Sequence, residues 1–389
     1  MEPIEFTFDI SRRYLQDRQR TLPSEIYNLL SGKNRQRDVD FMAGCSNLFS
    51  PNLVGREAWK TLLQVEAFFK KNKSFSDGDR CSEAARDSFL RAEKLCRITN
   101  RRLDHYLIKR ERLAPDLDRQ VSKMEKDIHH IMGDFMYFLE RLPELVRVTA
   151  GATSTKSRKN ALPHLRISKR VSCTPMSAKY LQALSHHWGY GLLKPKLTST
   201  NRVELVPKNW KTARTIACEP EGNVFLQLAF DEYMKGRLRR IGIDLSDQGK
   251  NQGLAYEGSL SGELATLDLS MASDTLAYNT VAGLLPQPWF QFVSDVRCPS
   301  GSGVYQGNYA KFSSMGNGTT FPLETLVFTA ACRAVGSKRY SVYGDDIIVE
   351  TELVDDLTRL LRFFGFVINA DKSHTQGPFR ESCGANWFE

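Results

Sequence analysis

The spacing of apolar residues changes character near residue 200, and this change constrains the fold more than any other feature of the chain. Up to about residue 145 apolar side chains recur every three or four positions. The clearest run is Asp116 to Leu142, where Leu117, Val121, Met124, Ile128, Ile131, Phe135, Phe138 and Leu142 would line one face of a helix. Pro115 stands just ahead of it, where a helix can begin. Beyond residue 200 the apolar runs are short and punctuated by turn residues. Leu264–Leu269 (LATLDL) reads as a buried strand ending in an acid. Tyr340–Val349 (YSVYGDDIIV) reads as two strands joined by a tight turn at Gly344–Asp345. Between them, Phe321–Val335 reads as a helix opened by the loop Ser313–Thr320. Leu353–Gly365 reads as a second helix and Phe366–Ile368 as a further strand. The order strand, helix, hairpin, helix, strand predicts an α+β layer. Asn72–Arg80 and Gly151–Asn160 read as loops.

A chain of 389 residues can bury a large core, and at roughly 150 residues per domain it suggests two or three domains. The 41% apolar and 25% charged content is ordinary for a globular protein. No apolar run approaches the roughly 18 residues a membrane span needs, so no membrane association is expected. The opening MEPIEFTFDISRR is acidic and mixed, unlike a secretory signal. Eight scattered cysteines without a C-x-x-C pair read as free thiols of a reducing compartment, and finger-type zinc spacing is excluded. The pairs His129–His130 and His186–His187 read as structural or surface residues. Neighbours on a helix point about 100° apart and cannot face one metal.

Charge is unevenly placed. Residues 1–200 hold 36 basic and 23 acidic side chains, leaving 18 and 22 for the rest. From Leu145 to Val203 there is no acid, against eleven cations: Arg147, Lys156, Arg158, Lys159, Arg166, Lys169, Arg170, Lys179, Lys194, Lys196 and Arg202. Such a stretch repels itself unless it is solvated or faces a polyanion, and it predicts a nucleic-acid partner. The small, hydroxyl-rich and basic loop at 151–160 would suit phosphates.

The second half supplies the chemistry. Two adjacent carboxylates, Asp345 and Asp346, at a turn between apolar strands repel each other unless a divalent cation adds the missing charge. Alone, a GDD triplet would serve equally as a solvated turn. Asp268, ending the earlier apolar run, would complete three oxygen donors for a two-metal phosphoryl-transfer site. The glycines of Ser313–Thr320, Gly316 among them, would let backbone amides approach a nucleotide, and Asn317 could read a ribose hydroxyl. Lys208, Lys211 and Arg214 place three cations within seven residues, suited to a triphosphate. Lys372, after the expected strand at 366–368, could protonate a departing pyrophosphate.

Six stretches together resemble the replicase catalytic subunit of single-stranded RNA bacteriophages, the levivirus RNA-dependent RNA polymerases. They are VPKNWKTARTIACEP (206–220), GIDLSDQGKNQ (242–252), LATLDLSMASD (264–274), SSMGNGTTFPLE (313–324), YGDDII (343–348) and GPFRESCGA (377–385), in the family's order. GATSTKS (151–157) and CTPMSAKYLQAL (173–184) extend the likeness more weakly. Residues 1–145 carry none of it.

The resemblance implies a right-hand polymerase with fingers and an antiparallel palm sheet, templated by RNA and consuming ribonucleoside triphosphates. Asp268, Asp345 and Asp346 match the metal-binding carboxylates, for two Mg²⁺ ions with Mn²⁺ as a substitute. Asp274 and Asn317 match the pair that selects a ribose 2′-hydroxyl, and Lys208, Lys211 and Arg214 match the triphosphate contacts. Lys372 matches the general acid. Host elongation factors Tu and Ts and a ribosomal RNA-binding protein are implied partners, and the cytoplasm of an infected bacterium is the implied setting. The expected division is a helical region at 1–145, a basic fingers segment at 146–260 and a palm at 261–389. Family members run well beyond the FRESCG segment, so the thumb is expected to be largely missing. A reverse transcriptase and a non-catalytic RNA-binding fragment of a polymerase remain the alternatives. Against the first stands Asp274, a polar sensor that a DNA-making enzyme would not need.

Overall fold

The computed structural model describes residues 3–70, 72–75, 77–107, 113–148, 151–157, 168, 170–191 and 194–389. It is a mixed helix-and-sheet fold whose described residues form two large hydrophobic cores and a small third cluster of Ala255, Leu264 and Ile348. The first is formed by the helices Pro3–Asp17, Ser24–Arg35 and Arg56–Lys70, whose Phe8, Leu15, Leu30, Leu62 and Phe69 pack together. Two residues from far down the chain, Trp210 and Phe379, complete it. The 30-residue helix Gly78–Leu107 then leaves this unit and runs along the second core, packing against the helices Ala272–Thr275 and Tyr278–Leu284. The helices Pro115–Met132 and Phe135–Leu145 contribute buried residues to the same second core.

The run expected as one helix over Asp116–Leu142 is two, Pro115–Met132 and Phe135–Leu145. Gly133 breaks it with a φ of 71°, and Asp134 caps the second helix by accepting from the Tyr137 amide. The freed carbonyls of the first helix are met from the Glu221–Arg240 helix. Tyr233 donates to Met132, and Arg237 donates to His130 and Ile131. Trp289 donates to the Gly133 carbonyl. The expected loop at 72–80 contains a short 3₁₀ turn, Lys73–Phe75, and the start of the long helix at Gly78.

Among the described residues the strands are β1 (Ser172–Cys173), β2 (Lys196–Leu197), β3 (Thr200–Pro207), β4 (Ala213–Cys218), β5 (Leu264–Leu267), β6 (Ser300–Gly303), β7 (Gly307–Asn308), β8 (Ser341–Tyr343), β9 (Asp346–Glu350), β10 (Phe379–Ser382) and β11 (Ala385–Phe388). Two sheets position the chemistry. One has the order β4-β3-β6-β7, and the other is an antiparallel sheet of order β5-β9-β8. No strand forms at 366–368; Ile368 makes only a single bridge to Leu269. The helix Thr320–Ala334 lies in the centre of the second core with thirteen of its fifteen residues buried. Its apolar and small side chains face all round, as a fully enclosed helix requires. All eight cysteines are free and seven are buried. No helix among the described residues is long and apolar enough to cross a membrane.

Candidate active site

The acids separated by more than seventy positions meet through strand register. β5 and β9 pair antiparallel from Leu264↔Glu350 to Leu267↔Ile347. One step beyond the last pair stand Asp268 and Asp346, so the carboxylates leave the same end of the sheet. Asp345 follows Gly344 in the β8–β9 turn. That turn depends on its glycine. Gly344 has a φ of 60°, its amide donates to Thr325 Oγ1 at 3.2 Å, and a Cβ there would lie 2.5 Å from the Phe321 ring. The buried Thr320–Ala334 helix thus holds the acidic turn from behind.

The electrostatics record the crowding. Burial, then the charges of Asp345, Asp268 and Glu381, push the Asp346 carboxyl up to about 6, against an opposing hydrogen bond from the Cys383 amide. Asp345 is exposed, yet the surrounding protein strips part of its hydration. This desolvation and the charge of Asp268 raise it, while Lys372 and Lys208 act the other way. Glu324, 2% exposed, is pushed to about 8 by burial first and then by Asp345, with Asp274 adding to the same direction. It accepts a hydrogen bond from Ser273 at 2.9 Å, which opposes that shift.

Asp268 accepts from Asn369 Nδ2 at 2.9 Å and lies 3.6 Å from the Lys372 ammonium. Its amide donates to Ser373 Oγ. Lys372 sits in the 3₁₀ turn Ala370–Lys372, and no strand precedes it. Asp346 accepts from the Cys383 amide at 3.3 Å, with the Cys383 thiol 3.8 Å from its other oxygen. Among the described residues no three His, Cys, Asp or Glu side chains close on one point to hold a metal as they stand. The donor chemistry nevertheless fits a hard divalent cation, with carboxylate oxygens only and with burial, then neighbouring negative charge, raising the proton affinity of Asp345 and Asp346.

The cationic segment is the turn of the β3–β4 hairpin. Asn209 organises it by accepting from the amides of Lys211 and Thr212, and buried Trp210 pins it to the first core by donating its amide to the Lys70 carbonyl. Lys208 lies where desolvation, then Arg214 and Lys372, lower its ammonium, opposed by Asp268 and Asp345. Lys208 and Arg214 thus share the field of the acids. Lys211 instead rests 5.0 Å over the Trp210 ring, on the side of Gly44.

The remaining expected residues are engaged inside the protein. Asp274 accepts from Lys311 at 2.8 Å. Asn317 is buried, donating to Glu219 at 3.4 Å and accepting from the amide and hydroxyl of Thr319. Gly316, with a φ of 103°, lets its loop press on β4, since a Cβ would meet the Ala217 carbonyl at 2.5 Å. The glycine thus allows the loop to pack closely on β4. The basic stretch is likewise partly neutralised. Arg147 pairs with Asp231 and Glu232, Lys156 with Glu221, Lys179 with Asp295 and Arg202 with Glu204. Arg170, Lys194 and Lys196 are exposed, whereas Arg158, Lys159, Arg166 and Lys169 lie outside the described residues. The acids that compensate the stretch come from residues 204–295, which a reading confined to 145–203 does not see. Sequence reasoning also passed over Glu324, Cys383 and Lys311. The first two lie inside the quoted motifs, and Lys311 stands two residues before one.

The family model described as RNA replicase, beta-chain, matches residues 57–389. The chain belongs to the RNA replicase beta-chain family. Among its relatives, the RNA-directed RNA polymerase subunit beta of Escherichia virus Qbeta is 36% identical over 357 residues, covering 87% of this chain and 59% of that protein. The corresponding subunit of Enterobacteria phage SP is 38% identical over 365 residues, covering 90% and 63%. This replicase chain thus spans about six-tenths of the length of the curated relatives it matches. A solved BmCPV RNA-dependent RNA polymerase at elongation state aligns over 72% of this chain and 29% of its own, at 10% identity and a TM-score of 0.44.

Proposed function

We propose that this replicase chain carries the nucleotidyl-transfer site of an RNA-templated RNA polymerase that copies a single-stranded RNA phage genome. The observation that carries the reading is the β5–β9 register, which sets Asp268 beside Asp345 and Asp346 at one sheet end. In this reading residues 261–389 are the palm, 146–260 the fingers segment and 1–145 a helical region that braces both.

Asp268, Asp345 and Asp346 would hold two divalent ions, Mg²⁺ or Mn²⁺. When bound, such ions supply charge stabilisation for the attacking hydroxyl and the leaving oxygen. Lys208 and Arg214 bind the triphosphate tail, and Lys211 joins them only by leaving its seat on Trp210. Lys372, exposed and beside Asp268, delivers a proton to the departing pyrophosphate. Asp274 meets the ribose 2′-hydroxyl, and Asn317 reaches it after exchanging its bonds to Glu219 and Thr319. The family likeness extends the proposal to host elongation factors Tu and Ts and a ribosomal RNA-binding protein as partners, in the cytoplasm of an infected bacterium.

The test offers an RNA template with either rNTPs or dNTPs and follows pyrophosphate release. Ribonucleotide incorporation lost in Asp345→Asn and Asp346→Asn supports the reading. Preferential dNTP use would make the chain a reverse transcriptase. Salt-sensitive RNA binding without any pyrophosphate would leave it a binding fragment.

A further inference from the structure

Lys311 has no exposed surface at all, which is unusual for a lysine and costly unless its charge is met. Its ammonium lies 2.8 Å from Asp274 Oδ1 and 3.4 Å from the centroid of the Phe89 ring, with the Tyr309 ring at 5.7 Å. The backbone that carries it is zipped to the segment just after Asp274. Ala277 and Lys311 form a bridge, Tyr278 donates to Ala310, and Phe312 donates to Leu276 at 2.7 Å. Glu93, also fully buried, accepts from the Ala310 amide at 2.7 Å and faces the same ammonium. Burial raises the Glu93 carboxyl, and Asp274 is the carboxylate within ion-pair distance of the ammonium. Asp274 itself keeps 18% of its side chain exposed, so it spans from the buried cation to the surface.

We propose that Lys311 is the positioning residue of the ribose-sensing site, with its buried ammonium, seated on Phe89, clamping one oxygen of Asp274 so that the carboxylate is held ready for the sugar 2′-hydroxyl. The inference rests on the assignment of Asp274 as the ribose sensor. A flexible, solvated carboxylate would hydrogen-bond to water as readily as to ribose. A clamped one has its direction fixed before the nucleotide arrives, and the supporting partners of a functional ligand typically matter by about 10–100-fold. The clamp also links discrimination to the Gly78–Leu107 helix, which supplies Phe89 and Glu93.

The test compares binding of a ribonucleoside triphosphate and its 2′-deoxy analogue to the protein–RNA complex, which needs no turnover. Wild type, Asp274→Asn, Lys311→Met and the double variant are measured as a cycle. We expect Asp274→Asn and Lys311→Met each to shrink the ribo-to-deoxy affinity ratio by about tenfold, and the double variant to shrink it no further. A lowered ratio in Asp274→Asn with an unchanged ratio in Lys311→Met overturns the clamp and leaves the sensor standing. An unchanged ratio in Asp274→Asn overturns the sensor and the clamp with it. If Lys311→Met does not fold, Phe89→Leu loosens the seat without stranding a charge. It should lower the ratio about twofold to threefold, and a wild-type ratio there refutes the clamp.

Discussion

The two hairpins that face each other across the candidate site are held in opposite ways. The acidic β8–β9 hairpin turns on two residues, and its glycine fits against the buried helix that precedes it closely in sequence, so the turn itself is shaped locally. The cationic β3–β4 hairpin has a wider turn whose position is set by Trp210, lodged in a core built mostly from residues 8–69 and touching Lys70 and Cys81. One is specified locally, the other by packing more than a hundred residues away. The comparison teaches that the acidic end of the candidate site is a property of the sheet, whereas its cationic end depends on the docking of the N-terminal helices.

This contrast can be broken from either side. The largest effect should come from Asp345→Asn. Losing one charged metal ligand forfeits several kcal/mol of transition-state stabilisation, so nucleotide addition should fall by roughly a hundredfold or more. RNA affinity, measured by filter binding, should hardly change, and equal loss of both would refute the separation. Trp210→Ala should next cost about 3 kcal/mol in denaturant unfolding by emptying a core site. It should also raise the KM for nucleotide more than it lowers kcat, because Lys208 loses its brace. Gly344→Ala should cost about 2 kcal/mol, read as a lowered Tm, since the new methyl meets Phe321 at a left-handed backbone position.

The smallest effect concerns His374, which Phe379 covers edge-on with ring centroids 4.6 Å apart. Burial, with Arg380 adding to it, lowers its imidazole to about 4. The unfolded chain takes up the proton near pH 6.5 and the folded chain only near 4. Stability is therefore full above 6.5 and declines as pH falls between these values. His374→Gln should flatten that slope in thermal melts at pH 4.5 and 7, and an unaltered slope would show that the group does not titrate as described.

Local features of the fold were legible in the sequence and distant ones were not. The LATLDL strand, the YGDD turn and the helices over 320–334 and 354–363 follow from periodicity and turn chemistry. The break at Gly133 did not, because apolar spacing continues unbroken through it and only the carbonyl partners Tyr233, Arg237 and Trp289 make the interruption stable. The three acids could be named from sequence, while their juxtaposition needed the register of β5 on β9. The roles of Lys211 and Gly316 read differently in three dimensions, since a cation may sit on a tryptophan and a glycine may admit a strand. Lys311 was invisible for the same reason, a lysine in a tyrosine-rich loop giving no sign that it is enclosed.

The claim on which the account stands is that Asp268 and Asp346 are neighbours at the end of one sheet. Directly opposed residues on antiparallel strands have Cα atoms about 4.5–5.5 Å apart, within reach of a disulfide. With Cys383 changed to Ser to remove the nearby thiol, the double substitution Asp268→Cys and Asp346→Cys can be oxidised and the link located by mass spectrometry of the digested protein. A 268–346 crosslink formed within the monomer is the result the account requires. Two free thiols that never join would contradict it.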